Sequence, residues 1–230
     1  MARAPLLLPA LLLSALARAG ATALGIDVSQ PVSAAAAACM AKAGRSFSIT
    51  RAWESVGAWD AHAPATMAAF ASAGVEVSIY MFPCSFQSPQ AQLAALQGNL
   101  TAAGAPSFSK MWLDVESNID PRCAWSKTNL TANCDYMSAL VGAALGNPFY
   151  SSRTGIYTSV HEWTLLMGAD CTAGSSVPLW YPHYESPPNP AFSDFKPFGG
   201  WTAPAMKQYA DGPPVCAGDG PATDLNYRPE

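Results

Sequence analysis

The sequence predicts an α/β fold, a modified TIM-like β/α barrel of eight strands whose last third has lost its helices. Three observations predict it. Apolar strand-like runs alternate with Ala-rich helical stretches over the first two thirds of the chain, the order that builds a parallel sheet. Three more strand-like runs follow, joined by Pro/Gly-rich loops. Half of the 230 residues are hydrophobic, which suits one domain with a sizeable core. No G-x-G-x-x-G follows the first strand, which speaks against the alternative of an open doubly wound nucleotide-binding sheet.

The elements are predicted in order. Residues 1–23 read as a leader to be removed. Arg3 supplies the positive start, Leu6 to Leu16 the apolar run, and Ala19, Ala21 and Ala23 the small residues of a cleavage site. A cut after Ala23 leaves residues 24–230 as a single barrel domain. Leu24 to Ser29 is the first strand. A helix from Ser33 to Lys42 stops at Gly44, and Phe47 to Trp53 is the second strand. A small-residue helix from Pro64 to Ala73 precedes the third strand, Val75 to Phe82. Ser88 and Pro89 open the next helix, as cap and first helical residue. Met111 to Glu116 is the fourth strand, and a polar loop leads to a helix from Thr131 to Leu145. Thr154 to Thr158 is the fifth strand and His161 to Met167 a short helix. Val177 to Tyr181, Ala205 to Ala210 and Asp224 to Tyr227 complete the eight.

Composition excludes several classes. The net charge is −4, and removal of Arg3 and Arg18 with the leader makes it more negative. Without a basic stripe, nucleic acid is not an expected partner. No run reaches ~18 uninterrupted apolar residues, so no membrane span is expected. An acidic chain is repelled by an anionic surface such as a bacterial wall, and low pH would relax that repulsion. The expected location is therefore outside the cell, or in the lumen of an acidic phagosomal or lysosomal compartment. Six cysteines in an exported chain imply three disulfides. Fifteen connectivities are open, and proximity in sequence favours Cys123–Cys134, Cys39–Cys84 and Cys171–Cys216. No C-x-x-C or His-rich spacing suggests zinc, so no metal is expected. A Ser-His-Asp triad is not expected either, since G-x-S-x-G is absent.

Chemistry in a β/α barrel sits where strands end. The run Trp112-Leu113-Asp114-Val115-Glu116 carries the most information. Residues two apart on a strand face the same way, so Asp114 and Glu116 share one face. Burial of a carboxylate in an apolar strand is costly unless the acid is paired or used. Paired acids of this kind cleave glycosidic bonds. Other strand ends add Asp27, Tyr80, Trp180, Tyr184, Gln208 and Asp224, with Asn226 beside the last. Asp27 could merely cap the following helix, and Trp180 could be core. Asp211, before Gly212-Pro213, reads as a turn residue. Aromatic faces among these acids suit sugar rings, whose C–H faces are apolar.

Taken together, these residues resemble the Chalaropsis-type lysozymes, glycoside hydrolase family 25. The matching pieces occur in order: Gly25-Ile26-Asp27-Val28-Ser29, Thr50-Arg51-Ala52, Tyr80-Met81-Phe82, Trp112-Leu113-Asp114-Val115-Glu116, Gly155-Ile156-Tyr157-Thr158, Leu179-Trp180-Tyr181, Lys207-Gln208-Tyr209 and Asp224-Leu225-Asn226. The cysteines, Phe82-Pro83-Cys84 and Phe198-Gly199-Gly200-Trp201 look like the secreted eukaryotic branch of amoebae and nematodes. The resemblance implies cleavage of the β-1,4 bond between N-acetylmuramic acid and N-acetylglucosamine in peptidoglycan, a reaction that needs no cofactor; a monomer is expected, though the sequence leaves the oligomeric state open. It makes Glu116 the proton donor and Asp114 the acid that orients the substrate acetamido group. Asp27 is a supporting acid, with Asp224, Tyr80, Trp180, Gln208 and Tyr184 as substrate-binding residues. Many bacterial members have Tyr-His-Phe where this chain has Tyr80-Met81-Phe82, so any role of that His is unavailable here. The resemblance also implies retention of configuration through attack by the substrate's own acetamido oxygen. Asp27 and Asp114 are expected to raise the Glu116 pKa by like-charge repulsion, with burial adding to it. The rival reading is a glycan-binding barrel that does not hydrolyse.

Overall fold

The eight predicted strands close on themselves, and the closure is what gathers their polar ends. The computed structural model describes residues 22–212, 215–216 and 220–229. Strand β1 (Thr22–Val28) pairs parallel with β2 (Phe47–Glu54). A short β3 (Ala58–Trp59) folds back on β2 as a hairpin. Beyond β2 come β4 (Glu76–Met81), β5 (Met111–Asp114), β6 (Thr154–Tyr157), β7 (Leu179–Pro182) and β8 (Met206–Gly212), all parallel. The last strand, β9 (Thr223–Pro229), runs antiparallel between β8 and β1 and completes the barrel. This corrects the expectation of an all-parallel sheet. A parallel return needs a crossover of a dozen or more residues, usually helical, and only ten residues separate β8 from β9.

Five helices pack on the outside: α1 (Ala34–Lys42), α2 (Ala63–Ser72), α3 (Pro89–Ala102), α4 (Leu130–Leu145) and α5 (Val160–Met167). Their starts follow local chemistry. The Ser33, Ser88, Asn129 and Ser159 side chains each accept a hydrogen bond from the third residue onward, satisfying an otherwise orphaned N–H. At α2 the cap falls instead to Asp60, whose carboxylate accepts from the His62 N–H at 3.0 Å.

Alternation along each strand divides the core in two. Leu113, Val115, Ile79 and Ile156 face outward against helix residues such as Leu96, Met137 and Trp163. Phe47, Ile49, Trp112, Trp180 and Met206 face inward and fill the barrel. Two inward positions carry no side chain, for a steric reason. A Cβ on Gly155 would lie 2.4 Å from the Trp112 ring, and one on Gly25 2.3 Å from Phe47. Below this filling, Arg228 lies over Phe47 and pairs with Glu76, which closes the lower end. Where helices are missing, the β7–β8 loop covers the outside of the barrel. Phe192 and Phe195 pack edge-on to Tyr181. The fully buried Lys207 ammonium donates to Asp194 at 2.7 Å, to Glu185 at 3.2 Å and to the Ala191 carbonyl at 3.1 Å. This polar clamp holds the loop where a helix would otherwise pack.

All six cysteines are paired, as expected, but in none of the predicted combinations. The bonds are Cys39–Cys216, Cys84–Cys123 and Cys134–Cys171. Neighbours in sequence point to different partners here. The loop after β5 turns Cys123 back to the end of β4, where Cys84 sits, while the start of α4 turns Cys134 toward α5. The Asn133 side chain marks that second direction by donating to the Leu166 carbonyl at 2.7 Å. Cys39 on α1 ties the β8–β9 loop, a separation of 177 residues that favours a large constraint on the unfolded chain. The expected leader lies outside the described residues except for Thr22 and Ala23. Those two already belong to β1, two residues ahead of the expected Leu24, and Ala23 is buried and paired with Arg228.

Candidate active site

Closure of the barrel brings the strand ends to one mouth. A small cavity of about 110 Å³ there is lined by Asp27, Tyr80, Asp114, Glu116, Tyr157, Trp180, Gln208 and Asp224. Seven of these were expected from sequence. They come from β1, β4, the end of β5, β7, β8 and β9. Asp27 and Asp224 are direct partners across the β1–β9 pair.

The paired acids sit as the strand period requires, with one adjustment. Strand β5 ends at Asp114, and Glu116 lies two residues beyond it. The extended backbone is nevertheless held. The Val115 N–H donates to the Tyr157 carbonyl at 2.8 Å, and the Thr158 hydroxyl donates to the Val115 carbonyl at 2.9 Å. The Trp125 indole N–H donates to the Glu116 carbonyl at 3.1 Å. Val115 is fully buried on the opposite face, which fixes both acids toward the mouth.

A relay of amides joins the acids. Gln208 Nε2 donates to Asp27 Oδ1 at 2.9 Å and to Asp224 Oδ2 at 3.3 Å. Its carbonyl accepts from the Tyr157 and Tyr184 hydroxyls, each at 2.7 Å. Asn226 Nδ2 donates to the same Asp27 oxygen at 2.6 Å, and Asn226 Oδ1 accepts from the Trp180 indole at 2.8 Å. Trp180 is thus floor rather than platform: it is buried, hydrogen-bonded and packed edge-on to Trp112. Tyr184 stands at the rim, half-exposed and outside the cavity lining, and joins the site only through Gln208. Met81 points into the outer core and takes no part.

Electrostatics set the mouth apart. Burial, with Asp224 next, raises the Asp27 pKa to about 7. Burial, with Glu116 and Asp27 next, raises Asp114 well above the carboxylate range. Glu116 is raised to about 7, first by burial and then by Glu162 and Asp224, while a hydrogen bond from Tyr157 opposes the shift. This corrects the expected order of causes: burial leads, and the charges next in order on Glu116 are those of Glu162 and Asp224. Asp224 is raised by burial and by Asp211, so the residue read as a turn former tunes its strand neighbour. None of these acids has a cationic salt-bridge partner among the described residues. Asp114 Oδ1 is buried without a hydrogen-bond partner. Such an atom is costly unless a ligand satisfies it.

Three contributors were missed. Tyr157 pairs directly with Asp114 in the β5–β6 register, so the strand period would have found it. Asn226 stood among the strand-end residues without being chosen. Glu162, on α5, carries no signal in sequence; it accepts from the Ser117 N–H and hydroxyl at 2.8 and 2.7 Å.

The arrangement supplies a protonated carboxyl near neutrality beside a second acid with an open acceptor, a set suited to general acid catalysis. Known proteins share the frame. The family described as "Lysozyme-like protein 1" matches residues 18–209. "Probable GH family 25 lysozyme 2" of Dictyostelium discoideum is 36% identical over 89% of this chain and 90% of its own. "Lysozyme-like protein 5" of Caenorhabditis elegans is 34% identical over 89% of this chain and 91% of its own. Among solved structures, a muramidase from Acremonium alcalophilum superposes with a TM-score of 0.71 at 21% identity, over 90% of this chain and 93% of that one. A family GH25 lysozyme from Aspergillus fumigatus gives 0.67 at 19% identity, over 90% and 94%. At these identities the structures speak for the fold.

Proposed function

We propose that this chain, which belongs to the family 25 lysozymes and is a glycoside hydrolase, cuts the β-1,4 bond between N-acetylmuramic acid and N-acetylglucosamine in peptidoglycan. The observation that carries the reading is the mouth itself: Glu116 raised to about 7 next to Asp114, whose buried Oδ1 lacks a partner. A donor must hold its proton at the working pH, and Glu116 does so up to about neutrality.

In the proposed cycle Glu116 protonates the leaving oxygen. The acetamido oxygen of the muramic acid attacks the anomeric carbon, and the C–O bond to the leaving sugar breaks. Asp114 Oδ1 accepts the acetamido N–H and so holds the acetamido oxygen in line with the anomeric carbon. Such substrate-assisted routes are known departures from the two-carboxylate scheme. Glu116, now ionised, takes a proton from water as that water opens the intermediate, and configuration is retained. Asp27 lines the same mouth as Asp114 and is fixed by Gln208 and Asn226. Asp224 and Tyr80 line the sugar-binding wall. The three disulfides and the enzymatic reading fit an exported protein, acting outside the cell or in an acidic lumen after loss of its leader. No helix among the described residues is long and apolar enough to cross a membrane.

Product analysis tests this. Purified peptidoglycan incubated with the protein should release fragments with new reducing ends at N-acetylmuramic acid. Wall binding without any such ends would favour the non-hydrolytic barrel.

A further inference from the structure

A cavity larger than the acid mouth lies beside the acids rather than among them. It holds about 650 Å³, within the range of small-ligand sites, and opens between the loop after β5 and helix α5. Ser117 and Asn118 line its near end, so it begins at the residue that follows Glu116. Trp125 forms part of its wall while its indole N–H holds the Glu116 carbonyl. The groove and the acid mouth therefore share a wall of backbone.

Its lining is apolar where water would normally be met by polar side chains. Ile119 is 99% exposed and Leu165 50% exposed, and both face the groove. An isolated exposed apolar residue means little, but several along one groove mark a contact surface. Lys127 lies at the same groove, exposed and without a salt-bridge partner among the described residues, in a chain of net charge −4. The groove thus offers apolar contacts and one unpaired cation.

We infer that this groove binds the stem peptide of the substrate, an inference that rests on the muramidase reading above. In that reading the muramic acid ring carries the anomeric carbon next to Glu116. The same ring bears, through its lactyl ether, a short alanine-rich peptide with free carboxyl groups. A peptide leaving that ring beside Glu116 enters a channel that starts at Ser117. Its methyl groups meet Ile119, Trp125 and Leu165, and Lys127 faces a carboxylate. Peptide contact then adds binding energy away from the bond that breaks, which sets a preference for peptide-bearing strands over naked glycan.

The test compares intact peptidoglycan with the same strands stripped of peptide by an amidase, measuring new reducing ends. Wild-type protein should cut the intact strands with the higher kcat/KM. The double variant Ile119→Ser, Lys127→Glu changes two exposed side chains and leaves the core untouched. It should lose roughly five- to tenfold in kcat/KM on intact strands, mostly through KM, from one apolar contact and one partly screened ion pair. The loss should be confined to the peptide-bearing substrate. Equal losses on both substrates, or none on intact strands while the wild type cuts both, would overturn the groove and leave the muramidase reading standing. A wild-type protein inactive on both substrates would overturn that reading and this inference with it.

Discussion

At the lower end of the barrel Glu76 receives hydrogen bonds from two nitrogens of Arg228, at 2.9 and 2.5 Å, and the guanidinium lies over Phe47. At the upper end Asp27, Asp114, Glu116 and Asp224 crowd together with amide and phenol partners and no cation in a salt bridge among the described residues. The consequences are opposite. Arg228 holds Glu76 below the usual carboxylate range, whereas burial, with neighbouring acids, pushes the four upper acids above it. Both ends lie in one barrel, with strand geometry in common. Charge neutralisation closes the lower end. Its absence above leaves protons on acids at neutral pH, which destabilises the mouth and equips it for proton transfer.

The largest effect should come from taking the titrating group out of the mouth. Glu116→Gln should lower kcat by ~10²-fold or more, the usual scale for a general acid, without unfolding the protein. Turnover close to wild type would remove Glu116 from the donor role and blur the contrast between the ends. The lower end should respond in stability instead. Arg228→Met deletes a two-point ion pair and a stacking contact, and about 1–2 kcal/mol is expected, because the pair is only partly buried. Denaturant unfolding would read this, with activity at fixed fraction folded unchanged.

The pH dependences of the two ends should also have opposite signs. Glu116 has a folded pKa of about 7 against an ordinary 4.5, so its protonated form is favoured by folding. Its contribution is fully present below about 4.5 and is lost as the pH rises through about 7. Glu116→Gln should therefore melt higher than wild type at pH 8, by a few degrees for a gain of about 1 kcal/mol, and alike at pH 4. Glu76 is lowered, so its contribution is present above the ordinary carboxylate pKa and fades as the pH falls through its own. Acid should thus weaken the lower end while relaxing the mouth. The smallest effect distinguishes the charges on Glu116. Glu162→Gln should move the alkaline limb of kcat toward lower pH, since Glu162 is the first charge raising Glu116. An unmoved limb would leave burial and Asp224 as the causes.

Much of this was legible in the sequence because it follows from short-range rules. Spacing two apart put Asp114 and Glu116 on one face, and the switch between strand-like and helical patterning located the eight barrel strands and five helices. Convergence of Asp27, Tyr80, Gln208 and Asp224 then followed from barrel closure. What escaped depends on contacts between distant segments. Cys39–Cys216 spans most of the chain, and Cys123 and Cys134 diverge because the loop and helix carrying them face different neighbours. The antiparallel β9 is a property of the connection before it rather than of its own residues. Glu162 reaches the mouth from a helix flank, through Ser117. The dominance of burial over charge at Glu116 depends on how deeply the barrel encloses it, which no local pattern states.

A carboxyl titration by carbon-13 NMR, on protein labelled at its glutamate side chains, tests the central claim most directly. One resonance should titrate at about 7 and be missing from Glu116→Gln. A Glu116 resonance titrating at the ordinary glutamate value of 4.5 would contradict the account.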